Sequence, residues 1–138
     1  MITAVDTSVL LDVFGADPTH GPRSAAALRT AAREGRLVSC EVVWAETVSV
    51  LPSAAVTAEL MHRLGLEHDA TGEPAAAAAG EAWRAYRSSG GRRTRLVADF
   101  LIGAHAAGQA DRLLTRDRGF YRSYFSGLEI VDPSAGTG

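Results

Sequence analysis

Short apolar runs alternate with helical segments along the whole chain, and the first run, Ile2 to Val5, stops at an aspartate. A run this short and apolar suits a strand buried on both faces. Leu37 to Ser39, Leu66 to His68, Arg112 to Leu114 and Leu128 to Val131 read the same way. Between them lie helical stretches at Val9 to Phe14, Ser24 to Arg33, Cys40 to Leu51, Pro52 to Leu64, Gly72 to Arg87 and Val97 to Ala107. The breaks are chemical: Gly15 to Pro18, Gly21-Pro22 and Gly35 each interrupt a helical pattern. This alternation predicts an α/β fold, a three-layer α/β/α sandwich with a central parallel sheet. Residues 1–133 are read as a single domain and residues 134–138 as a flexible C-terminal tail.

Composition bounds the function. At 138 residues and 46% apolar, the chain can bury roughly two-thirds of its unfolded surface in one core. No apolar run approaches the roughly 20 residues of a membrane span, and no secretory leader precedes Ile2, so a cytoplasmic protein without membrane contact is expected. The single Cys40 excludes an intramolecular disulfide framework. The net charge of −2 hides two arginine clusters, Arg92-Arg93-Arg95 and Arg112-Arg116-Arg118-Arg122. All fourteen Lys and Arg residues are arginines. A P-loop and a receiver-type phospho-acceptor site each need a lysine, so both are excluded.

Four acids stand where the local pattern favours an apolar residue or a plain turn: Asp6, Glu46, Asp99 and Asp117. A buried carboxylate is costly unless it is paired or holds a metal. In open parallel sheets ligands bind beyond the carboxyl ends of the strands. Asp6 ends the first strand and Asp117 follows the fourth, so both are predicted to face one crevice. Glu46 shares a helix face with Val42, Val43, Ser49 and Val50, and Asp99 with Ile102, Gly103 and Ala106. Each acid alone has a plain structural alternative: a helix cap at Asp6, an ion pair at Glu46, the helix macrodipole at Asp99, a turn at Asp117. Their convergence is what predicts a site. His20, His62, His68 and His105 lack metal-ligand spacing, and no HExxH, paired CxxC or GxSxG pattern is present. Trp44, Trp83 and the Phe120-Tyr121-Tyr124-Phe125 cluster read as core or oligomer contacts.

With these residues in hand, the chain resembles the PIN-domain ribonucleases, specifically the VapC-type toxins of bacterial toxin–antitoxin pairs. Four blocks carry the resemblance: Val5 to Leu10, Trp44-Ala45-Glu46, Asp99 to Ala106 and Leu113 to Tyr121. Asp6, Glu46, Asp99 and Asp117 match the family's acidic quartet and Thr115 its nearby hydroxyl. Ala98 departs from the proline that many relatives carry before the aspartate. The resemblance implies a Mg²⁺-dependent (Mn²⁺ is the other candidate) endoribonuclease, leaving a 3′-hydroxyl and a 5′-phosphate. All-oxygen ligation agrees with these hard cations. Asp6 and Asp99 are the first expected ligands, with Asp117 and Glu46 holding a second ion or bound waters. Thr115 and Ser8 would orient water or a ligand carboxylate, and Arg92, Arg93 and Arg116 would hold the RNA backbone. The resemblance further implies a homodimer inhibited by a VapB-type antitoxin, with helices around Trp44, Leu51, Val56 and Leu60 offering a groove. Two alternatives stay open: a non-catalytic PIN-like RNA-binding or scaffold domain, and a Mg²⁺-dependent nuclease of DNA or a phosphatase.

Overall fold

Five short strands, β1 (Ile2–Val5), β2 (Arg36–Ser39), β3 (Leu66–His68), β4 (Arg112–Leu114) and β5 (Glu129–Val131), form one sheet in a computed structural model. The structure describes residues 1–92 and 95–135. The sheet order is β3-β2-β1-β4-β5 and every neighbouring pair is parallel. Among the described residues seven α-helices cover it: α1 (Thr7–Phe14), α2 (Gly21–Glu34), α3 (Glu41–Val50), α4 (Ala54–Leu64), α5 (Glu73–Ser88), α6 (Val97–Gln109) and α7 (Arg118–Tyr124). The result is the three-layer α/β/α sandwich expected of alternating buried strands and helices. The strands are buried because both faces carry helices: Val5, Val38, Leu113 and Leu114 are each almost fully enclosed. Among the described residues no helix is long and apolar enough to cross a membrane.

The sheet order locates the site. The chain winds outward from β1 through β2 to β3, then returns across the sheet to place β4 on the other side of β1. The direction of winding therefore reverses between β1 and β4, and that reversal opens a crevice beyond their carboxyl ends. Val5 pairs with Leu114, so the next residues, Asp6 and Thr115, emerge side by side. Backbone bonds extend the ladder past the strands, from Asp6 N–H to the Leu114 carbonyl (3.0 Å) and from Thr115 N–H to that of Val131 (3.0 Å).

Several boundaries differ from the sequence reading for local reasons. Pro52 does not open α4; Ser53 caps it instead, its hydroxyl accepting from Val56 N–H at 3.1 Å. Helix α7 has no counterpart in the sequence reading, which places no element between β4 and β5 and gives Asp117 a turn as its plain structural alternative. It forms because Phe120 and Tyr121 are buried, and tertiary packing outweighs the weak local preference. Ser134, assigned to the tail, is tied by Asp132 Oδ1, which accepts from its N–H at 2.8 Å, and its carbonyl oxygen accepts from Arg23 Nη1 at 3.2 Å. Residues 136–138 lie outside the described residues.

Gly103 on α6 makes room for the Phe125 ring. A Cβ there would sit 2.3 Å from that ring. Gly103→Val is accordingly expected to destabilise the fold by roughly 1–3 kcal/mol through overpacking. Urea titration would measure this, and an unchanged midpoint would show that Phe125 moves aside freely.

Candidate active site at the sheet reversal

Asp6 is the centre of the crevice. It ends β1 and caps α1, with extended backbone angles (φ −77°, ψ 153°) and its Oδ1 accepting from Thr7 N–H at 2.8 Å. Its Oδ2 accepts from the Thr115 hydroxyl at 2.7 Å and from that of Ser8 at 3.2 Å. Only 7% of Asp6 is exposed. Burial pushes its pKa from 3.8 up to about 6, and the charge of Glu46 adds to the rise. The bonds from Thr115, Thr7 and Ser8 oppose it without cancelling it.

The other acids reach Asp6 through hydroxyls and one arginine. The Thr7 hydroxyl donates to Glu46 Oε1 at 2.7 Å, which links α3 to the start of α1. The Thr115 oxygen that donates to Asp6 also accepts from Asp117 N–H at 3.0 Å, fixing the turn after β4. Arg95 Nη1 lies 2.6 Å from Asp117 Oδ2 and 3.9 Å from Asp99 Oδ1. Those two acids hold its guanidinium pKa up, the hydrogen bond to Asp117 most of all. Asp99 Oδ2 additionally accepts from Leu96 N–H at 3.0 Å, which ties it to the start of α6. All four acids therefore belong to one connected network. Among the described residues, however, no three His, Cys, Asp or Glu side chains stand together as a ready-made cation cage.

Two members were not read from the sequence. Tyr121 is buried, and burial first, then the charges of Asp6, Asp99 and Asp117, raises its pKa far above the usual tyrosine range. It stays a neutral phenol facing three acids. It stands four residues after Asp117, on the same side of a helix that was not recognised, so its spacing held the missing signal. The second is Asp12, a buried acid inside the apolar stretch Val9 to Phe14.

Asp12 gives Arg116 a partner within the chain. Arg116, expected from the sequence to hold the RNA backbone, has its Nε and Nη2 donating to Asp12 Oδ2 and Oδ1 at 2.7 and 3.0 Å. The Ser24 hydroxyl completes the arrangement at 2.8 Å from Asp12 Oδ2. Arg116 thus ties α1 and α2 to the turn that carries Thr115 and Asp117. Ser8 is spent on Asp6, Arg92 has an exposed side chain, and Arg93 lies outside the described residues. A cavity of about 610 Å³ lies between α2 and the β4–β5 side of the sheet, and none of the four acids lines it.

Comparison with known proteins agrees with this architecture. Among solved structures the chain is similar to VapBC2 from Rickettsia felis bound to a DNA fragment from its promoter (TM-score 0.73, 19% identity, covering 96% of this chain and 98% of that one). It is similar to FitAcB from Neisseria gonorrhoeae (TM-score 0.65, 22% identity, 97% and 99%). It is also similar to VapC20 from Mycobacterium tuberculosis, a sarcin-ricin loop cleaving toxin (TM-score 0.59, 15% identity, 80% and 86%). A search of curated protein sequences finds no match. The family model for the PIN domain matches residues 3–126, a span that contains all four acids, Thr115 and Tyr121, and the chain belongs to the PIN-domain family.

Proposed function

We propose that this protein is a divalent-cation-dependent endoribonuclease acting as the toxin of a toxin–antitoxin pair. The observation that carries this reading is the costly one: a buried Asp6 carboxyl at the reversal of the sheet, networked with Glu46, Asp99 and Asp117. Nothing in the packing of a core calls for four acids there.

The chemistry of the donor set fits Mg²⁺ or Mn²⁺. Every side chain that could ligate is a carboxylate or a hydroxyl, with no thiol or imidazole among them. Arg95 places its guanidinium beside Asp99 and Asp117, where a bound ion would compete with it. Asp6, Asp99 and Asp117 would hold the ion, with Glu46 orienting water beside them. When bound, such an ion polarises a phosphoryl oxygen and acidifies water. The chain's own residues do the rest. Thr115 holds Asp6 Oδ2 and the Asp117 backbone in one fixed relation. Neutral Tyr121 offers a hydrogen-bond donor without adding negative charge, and Arg95, once released from Asp117, can meet a phosphate.

The toxin role rests on the similarity to VapBC and FitAB complexes. It is supported by apolar side chains left open on α3 and α4: Val50 is 64% and Val56 39% exposed, an unfilled surface suited to an apolar antitoxin segment. A homodimer is part of the same reading.

Asp99→Asn is expected to leave the fold intact and to lower Mg²⁺-dependent RNA cleavage by two orders of magnitude or more, ~100–1,000-fold. Cleavage at the wild-type rate by purified Asp99→Asn would remove the mechanism. A non-catalytic reading has one observation in its favour, the pairing of Arg95 with two of the acids. Calorimetry with Mn²⁺ separates the two, since a protein that ignores the ion is no metal-dependent nuclease.

A further inference from the structure

Beside the acid crevice lies a second feature, an open cleft of about 470 Å³. This is within the ~300–1,000 Å³ typical of small-ligand sites. Tyr86 and Ser89 form one wall and Gly119, Phe120, Ser123 and Tyr124 the other, with Arg92 and Arg95 among the lining side chains. No acidic residue lines it among the described residues, although Arg95 joins it to Asp99 and Asp117.

Its construction suits a flat ring attached to a negative charge. Gly91 lies so close to Tyr86 that a Cβ there would come within 2.5 Å of the Tyr86 carbonyl oxygen. The Tyr86 hydroxyl donates to the Arg92 carbonyl, so the loop is fastened to the aromatic cluster while the Arg92 side chain stays exposed. On the α7 side, Tyr124 packs edge-on against Tyr86 and Phe100, yet remains 38% exposed, unlike buried Phe100, Phe120 and Tyr121. Gly119 leaves open space where a side chain would begin, with no atom within 4 Å. Arg95 joins the two features: it bonds Asp117 at 2.6 Å and lies over the Phe120 ring at 4.2 Å.

We propose that this cleft receives the unstacked base of a nucleotide adjoining the scissile phosphate in single-stranded RNA, with Tyr124 as the stacking surface. Arg92 and Arg95 meet the flanking phosphates. The inference rests on the nuclease reading for its substrate, but the cleft makes its own physical demand. A polyanion approaching four carboxylates needs a nearby cationic foothold, and sequence-tolerant hold on single strands comes from aromatic faces combined with arginines. The two arginines on this rim supply the first and Tyr124 the second.

The test uses fluorescein-labelled pentauridylate and pentaadenylate, with EDTA present and binding read by anisotropy. Tyr124→Ala and Gly119→Leu are each expected to weaken binding ~10-fold or more, the first by removing the stacking surface and the second by filling the cleft. Tyr124→Phe should bind as wild type does, and Thr30→Ala, at an exposed position on α2, should change nothing. Gly119→Leu sits in open space, so it separates loss of the cleft from loss of the fold. Wild-type affinity in both disruptive variants overturns the proposal even if Mg²⁺-dependent cleavage is present. Weakened binding in both variants, from a protein that never cleaves RNA, supports the cleft while removing the nuclease reading.

Discussion

Asp6→Asn is expected to silence RNA cleavage by roughly a thousandfold while making the cation-free protein more resistant to heat above pH 6. The two effects have one cause. Folded Asp6 keeps its proton up to about pH 6, whereas the same group in the unfolded chain ionises near 3.8. Between those values the folded state binds more protons, so the contribution of Asp6 to stability falls as pH rises and stays low above pH 6. The full difference corresponds to roughly 3 kcal/mol, an upper figure because Thr115 and Ser8 must readjust to an amide. Below pH 4 the variant and the wild type should melt together. Near pH 7.5 with EDTA the variant should melt several degrees higher. Adding Mg²⁺ should shrink the gap, because an ion favours the ionised carboxylate. Calorimetric melts at pH 4 and pH 7.5, with and without Mg²⁺, check each part. A variant that is less stable than wild type at pH 7.5 would mean that Asp6 is a structural anchor and not a strained site residue.

The second large effect concerns Arg116. Its removal leaves Asp12, only 4% exposed, with the Ser24 hydroxyl as its remaining side-chain partner. Uncovering a buried charge in this way typically costs about 3–5 kcal/mol. Arg116→Ala should therefore lower the denaturant midpoint sharply. Replacing the pair together, Arg116→Met with Asp12→Leu, should restore much of the loss, since no charge is then left unpaired. If Arg116 were instead a phosphate contact, Arg116→Ala would keep its midpoint and lose only salt-dependent RNA affinity. The two outcomes do not overlap. A destabilised turn would also disturb Thr115 and Asp117, so cleavage should fall together with stability in Arg116→Ala and recover in part in the double variant.

Taken together, these effects describe a site built under tension. Asp6 is held ionisable at some cost, and Arg95 offsets part of the charge of Asp99 and Asp117. Such local conflict is common where a fold carries function, because the surrounding core supplies the stability that the site gives up.

Much of this was legible in the order of residues. The alternation of short apolar runs with helical stretches determined a parallel sheet covered on both faces, because strands without a polar side must be enclosed. The positions of Asp6 at a strand end and of Glu46 and Asp99 on apolar helix faces marked the acids as costly, and cost is visible without coordinates. Tertiary structure decided the partnerships. Arg92, Arg93, Arg95 and Arg116 are chemically alike in sequence, yet Arg95 bridges two site acids, Arg116 clamps Asp12, and Arg92 stays open. Which carboxylate an arginine meets depends on how separate elements dock, and no local pattern encodes that distance. The same holds for α7, whose Phe120 and Tyr121 become helical through burial against distant residues. Tyr121 enters the site only because that docking occurs.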